Sequence, residues 1–147
     1  MKVGVLFPSR FEDPGEILAD ARAMEAANVD SVWIEAHADG LDPMLILAAI
    51  AAITDTLRLG LRREPTANAG AMDRAMKTLQ HLSRQRVVPA SERWVAVAPP
   101  LDREHWTRIL QENDADGVLV PMNPRLLDIL RHPDDTIDRQ DLLLAQG

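Results

Sequence analysis

The chain has 147 residues, 46% of them hydrophobic, with 23 acidic against 16 basic residues and a formal charge of −7 at pH 7. That length and apolar content suit one domain with a sizeable core. No cysteine is present, so disulfides, thiolate metal sites and cysteine nucleophiles are excluded. The acidic balance argues against nucleic acid as a partner, because such binding draws its affinity from neutralised phosphates.

Lys2 to Pro8 reads as a buried first strand that meets a proline at once. Its apolar run is too short for a signal peptide. Asp13-Pro14-Gly15-Glu16 opens a helix, with Asp13 as N-cap and Pro14 at the first helical position. Ile17, Leu18, Ala21, Met24 and Ala27 give that helix one apolar face. Val32 to Ala36 is the second strand. Asp42-Pro43 repeats the cap-and-proline start, and Leu57 to Leu61 is the third strand. Ala69 to Ser83 has the spacing of an amphipathic helix, and Arg86 to Ala90 that of a short strand broken by Pro89. Trp94 to Ala98 is a strand stopped by Pro99-Pro100, and Asp102 caps a helix carrying Trp106, Ile109 and Leu110. Gly117 to Pro121 is the last strand, followed by a helix from Asn123-Pro124 to about Arg131 and an acidic tail, residues 134–147.

Strands alternating with helices predict an α/β fold with about six parallel strands and right-handed crossovers. A full eight-stranded barrel needs about 250 residues. The expectation is therefore a single domain over residues 1–147, TIM-barrel-like but reduced. The longest apolar run, Met44 to Ile53, is about half of what a bilayer crossing needs. The sequence thus predicts no membrane partner and a cytoplasmic location. The same run contains no polar residue, so a helix there is apolar all round and needs cover on its outer face. A homodimer built on the Met44–Ile53 helix is the expected cover, the chain's own tail being the alternative.

His37 falls just past the end of the second strand, on the carboxyl edge where parallel α/β folds place their sites. Histidine can donate, accept or shuttle protons near neutral pH; the competing reading is a solvated loop residue beside Ala38-Asp39-Gly40. Glu35 alternates with Trp33, so both share a face. On an interior face Glu35 would be a buried carboxylate paired with Arg62 or Arg10. Trp33 on that face is either core or a stacking platform. Arg62 and Arg63 end the third strand on the same edge, suited to an anion or to Glu64 and Glu35. Asn123-Pro124-Arg125 offers a helix start that could hold a phosphate. The carboxylates are too scattered for a metal site.

Five segments, in order, carry a family resemblance: KVGVLFP, SVWIEAH, DPMLILAAIAAITDTLRLG, TLQHLSRQR and DADGVLVP. Together they resemble the luciferase-like monooxygenases, (β/α)8 barrels that work with FMN or a deazaflavin coenzyme. The resemblance covers about residues 1–88 and again about 92–133. It implies hydride or oxygen chemistry on an organic substrate, with His37 and Glu35 as catalytic residues. Trp33, Arg62, Arg63 and Asn123 are the residues expected to contact the cofactor. The chain also departs from the family. Val88 runs almost directly into Trp94, so the middle strands are expected to be deleted. Arg84-Gln85 stands where a glycine pair occurs, and Leu61-Arg62-Arg63 where a small residue follows the third strand's glycine. These departures keep a second expectation open: a non-catalytic relic acting as a ligand-binding or protein-interaction module.

Overall fold

The computed structural model describes residues 1–8, 13–37, 39–62 and 69–130. Arg10, Arg63 and the acidic tail fall outside these residues. Among the described residues five strands are formed: β1 (Lys2–Phe7), β2 (Ser31–Glu35), β3 (Arg58–Arg62), β4 (Trp94–Ala96) and β5 (Gly117–Pro121). Between and after them run α1 (Pro14–Ala26), α2 (Pro43–Ile53), α3 (Ala69–Leu82), α4 (Arg103–Glu112) and α5 (Leu126–Leu130). Three helices start on the aspartates that the sequence marks as caps. Asp13, Asp42 and Asp102 accept from the backbone N–H of Gly15, Met44 and His105 at 2.8, 2.9 and 2.8 Å.

All strand pairs are parallel, in the order β3-β2-β1-β5-β4. The last long strand therefore lies beside the first, as in a (β/α) barrel. Five strands form rather than the expected six, because the Arg86–Ala90 segment makes only one bridge, Val87 to Leu59. Pro89 has no N–H to extend the ladder, and its carbonyl instead accepts from Glu92 N–H at 3.1 Å, turning the chain away. Alternation then sorts the two faces of the sheet. Val5, Phe7, Val32, Ile34, Leu59, Val118 and Val120 are buried in one cluster with Ile17, Met24, Leu47, Ile50, Leu79 and Trp106 of the helices.

The opposite face carries Gly4, Trp33, Gly60, Trp94 and Gly117. Trp33 lies against Gly60, and Trp94 against Gly117. The two indoles meet at 5.3 Å between ring centroids, tilted by 55°. Trp33 also donates through Nε1 to Ser31 Oγ at 2.9 Å. In a flat sheet β2 and β4 would lie roughly 14 Å apart, three strand spacings. Their ring contact means the sheet is strongly curled, and glycines on three strands leave the room for two indoles inside it.

Side chains also draw the two sheet edges together at the amino end. Arg58, opening β3, donates to both carboxylate oxygens of Glu92, just before β4, at 2.8 and 2.9 Å. It also reaches Asp30 at 2.9 Å, and Lys2 of β1 reaches Glu92 at 3.0 Å. Hydrogen bonds from Arg58 lead the effects that hold the Glu92 carboxyl down at about 2, below its ordinary 4.5. A carboxylate depressed in the folded state stabilises the fold fully above its unfolded value and loses that stability as pH falls through the folded one. Glu92 keeps 17% of its side chain exposed. Allowing for solvent screening, its share is about 2 kcal/mol, lost between pH 4.5 and about 2. Urea titrations across that window should show a shallower acid slope for Glu92→Gln than for the wild type.

Two further ties hold the helical layer. Glu25 Oε1, from α1, accepts from the N–H groups of Asp55, Thr56 and Leu57 at 2.8, 2.6 and 3.0 Å. Burial alone would raise this carboxyl, but these bonds bring it below its ordinary value. The second tie is Arg86, whose guanidinium sits behind the C-terminus of α2. It donates to the carbonyls of Ala51, Thr54 and Leu57, to the Thr54 hydroxyl and to Ser83 O, at 2.7 to 3.0 Å.

Arg84 and Gln85 lead into Arg86 with φ of 54° and 67°. Both are thus left-handed, a conformation that favours glycine and costs other residues about 1–2 kcal/mol. The glycine pair that the resemblance implies at this point would be free of that strain. Arg84→Gly and Gln85→Gly should each raise stability by about 0.5–1 kcal/mol, the strain relieved less the extra freedom of the unfolded chain. Thermal melts of the two variants check this; a lower melting temperature in both would contradict it.

Candidate functional site

The carboxyl ends of the strands bring Glu35, Arg62 and Pro121 to one rim of the curled sheet. Glu35 and Arg62 are register partners across β2 and β3, and Ala36 N–H donates to Arg62 O at 3.0 Å. This bond carries the β2–β3 pairing one residue beyond Glu35 and sets where the chain leaves for His37. On the other side of β1, Met122 N–H donates to Leu6 O at 2.9 Å and brings Asn123 toward the same rim.

His37 Nε2 lies 3.9 Å from Glu35 Oε2, an ion-pair distance when the imidazole is protonated. Half of the His37 side chain and 40% of the Glu35 side chain are exposed. The expected buried Glu35 is therefore not found: β2 ends at the open rim, and its carboxylate pairs with His37 while Arg62 lies exposed beside it. Trp33 occupies the layer below, with its N–H taken by Ser31 and its ring against Gly60 and Trp94.

Asn123 does not open a helix. Its Oδ1 accepts from Arg125 N–H at 2.9 Å, its carbonyl accepts from Leu126 N–H, and α5 begins only at Leu126. The Arg125 and Leu126 N–H groups that would hold a phosphate at such a start are thus engaged by Asn123 in a local turn. Arg63 lies outside the described residues. Among the described residues no group of histidines and carboxylates is placed to hold a metal ion, and no helix is long and apolar enough to cross a membrane.

Sequence reading missed Trp94 as the partner of Trp33, and the Lys2–Arg58–Glu92 cluster below them. Their signal is the alternation Arg58-Gly60-Arg62, which marks the inner face of β3.

The family model for luciferase-like monooxygenases matches residues 1–88. The chain belongs to this family. The matched stretch runs from β1 to the Val87 bridge, and so contains β1, β2, β3 and the Glu35, His37 and Arg62 rim. In this luciferase-like chain β4 and β5 follow the matched stretch and complete the sheet on the far side of β1. Comparison with curated proteins returns no match. Luciferase-like proteins generally use flavin cofactors, and the family points to flavin-type oxidoreductase chemistry.

The rim suits such a group in its chemistry. It combines a polar pair able to meet a ring edge, a guanidinium able to meet an anion, and an indole layer beneath. One feature runs the other way: the space over Gly60 is filled by the Trp33 ring, so nothing else can approach the β3 backbone there.

Proposed function

We infer that the protein is a flavin-dependent oxidoreductase or monooxygenase, working with FMN or a deazaflavin coenzyme on an organic substrate. In this member the family's middle strands would be reduced, a reading supported by the lone Val87–Leu59 bridge among the described residues between β3 and β4. The observation that carries the reading is the Glu35–His37 pair on the carboxyl rim, within the family-matched stretch.

A bound flavin would supply hydride transfer or oxygen chemistry. The remaining work falls to the chain. His37 Nε2 lies 3.9 Å from Glu35 Oε2, and in this reading His37 would pass a proton to or from substrate at that nitrogen. Arg62, with Arg63 beyond it in sequence, would hold an anionic group of the cofactor. Trp33 would floor the site, and Asn123 would border it opposite. The luciferase-like chain would act as a homodimer through the Met44–Ile53 helix.

The second reading is a non-catalytic ligand-binding or interaction module. It is favoured by the Trp33 ring over Gly60, which denies a flavin close approach to β3. Titration of FMN and of a deazaflavin against tryptophan emission separates the two. The catalytic reading expects binding of about micromolar strength, weakened about tenfold by His37→Ala and by Arg62→Ala. Absence of binding by both cofactors would leave the second reading.

A further inference from the structure

We propose that Glu92 is a positioning residue for the rim site, fixing the height of its floor by holding the Trp94 indole against Trp33. The inference rests on the reading of the rim as a flavin site, and adds the group that sets how deep that site is.

Strand register fixes where the floor lies. Ser31, Trp33 and Glu35 of β2 stand opposite Arg58, Gly60 and Arg62 of β3, and alternation puts all six on the inner face. Trp33 is therefore one step beneath the Glu35 carboxylate, and whatever holds its ring decides how far a ligand can enter. Ser31 holds its N–H at 2.9 Å, and Trp94 supports the ring at 5.3 Å between centroids.

Trp94 itself stands on a weakly supported strand. β4 is an edge of the sheet, three residues long, and among the described residues it pairs with β5 alone. The indole is fixed at two ends. Its six-membered ring lies against Gly117, and Nε1 donates to Glu92 Oε2 at 3.2 Å. Without that acceptor the N–H would go unpaired, and a ring on an edge strand can turn out to water instead.

Glu92 is in turn held by charge from the other strands. Its Oε2 also accepts from Arg58 at 2.9 Å, and its Oε1 accepts from Arg58 at 2.8 Å and from Lys2 at 3.0 Å. With the indole, these donors fill the acceptor capacity of one carboxylate. Arg58 reaches on to Asp30, the residue before β2, at 2.9 Å. One side chain thus refers the position of the β4 indole to β1, β2 and β3. Of the four charged groups, Glu92 alone bonds an indole, so losing Lys2 weakens the cluster but leaves the Trp94 bond in place.

Two readouts on the full chain test this. Indoles as close as Trp33 and Trp94 give an exciton couplet in circular dichroism, and the third of the three tryptophans, Trp106, lies in the outer core. The second readout is the affinity for FMN and for a deazaflavin, followed by the cofactor's own emission. Glu92→Ala is expected to lose the couplet and to bind its cofactor about tenfold more weakly, whereas Lys2→Ala keeps the couplet and stays within about twofold of the wild type. Glu92→Gln retains an acceptor for Nε1 and should keep both. Where Glu92→Ala does not fold, Trp94→Phe breaks the same bond from the other side and should weaken the cofactor equally. A couplet that survives Glu92→Ala overturns the inference, as does wild-type affinity once the couplet is gone or in Trp94→Phe. Equal loss of the couplet in Lys2→Ala overturns it too, since charge balance and not the indole bond would then set the pair. A wild type that binds neither cofactor overturns the flavin reading alone, and the couplet still decides whether Glu92 places the indoles.

Discussion

Arg86→Ala is expected to lower the unfolding free energy by about 4 kcal/mol, read as a shift in urea midpoint with little change in slope. The guanidinium uses all five of its N–H groups on neutral acceptors: four carbonyls and the Thr54 hydroxyl. The Ala51 and Thr54 carbonyls belong to the end of α2, where no further helical turn can satisfy them. A positive charge at a helix C-terminus adds favourable dipole energy. Burial pushes the guanidinium below its ordinary value, but arginine stays charged at any pH at which the protein folds. Arg86→Lys should recover less than half of the loss, because a single ammonium cannot span acceptors on three segments. Full recovery by lysine would show that charge alone matters there.

Gly60→Ala is the second large effect, expected at about 3 kcal/mol. A methyl at residue 60 would overlap the Cδ2, Cε2 and Cε3 atoms of Trp33. The indole cannot simply step aside, since Trp94 lies against it and Ser31 holds its N–H. The backbone cannot yield either, because β3 is paired to β2 along its length. The control is the same change in a Trp33→Leu background, where a smaller side chain leaves room. Chemical denaturation of the four variants gives the coupling directly. If Gly60→Ala costs as much without the tryptophan as with it, the indole is not what requires glycine.

The order of strands and helices was legible because it rests on local chemistry. Caps at Asp13, Asp42 and Asp102, prolines at 14 and 43, and apolar spacing all act within a few residues. Boundaries moved by one or two positions: β2 and β3 begin at Ser31 and Arg58, and β4 stops at Ala96. The sixth strand failed because a strand needs neighbours as well as propensity. Val87 finds Leu59, but Pro89 and the turn after it leave nothing to continue the ladder.

The site was legible only in part, for the same reason. Glu35, His37 and Arg62 were placed together by the rule that strand ends share an edge, and the register of β2 with β3 follows it. The burial of Glu35 was misjudged because alternation gives a face but not a depth. Trp33 and Trp94 lie 61 positions apart on strands that do not pair. Their contact depends on the curl of the whole sheet, which no local pattern encodes. Arg84 and Gln85 sit between these cases. Their positions were visible as departures from the glycine pair that the resemblance implies, and the left-handed backbone would suit glycine there.

The segment from Val88 to Arg93 links β4 to Val87, which bridges to Leu59 of β3, while the hydrogen bonds of the sheet join these two outermost strands the long way round, through β2, β1 and β5. Polypeptide and ladder therefore make a ring. A nick at Ala90 or Ser91, both exposed, would sever no rung of that ring. The two fragments would stay zipped together along β1 and β5, so the molecule carries within its topology a natural point for splitting and reassembly.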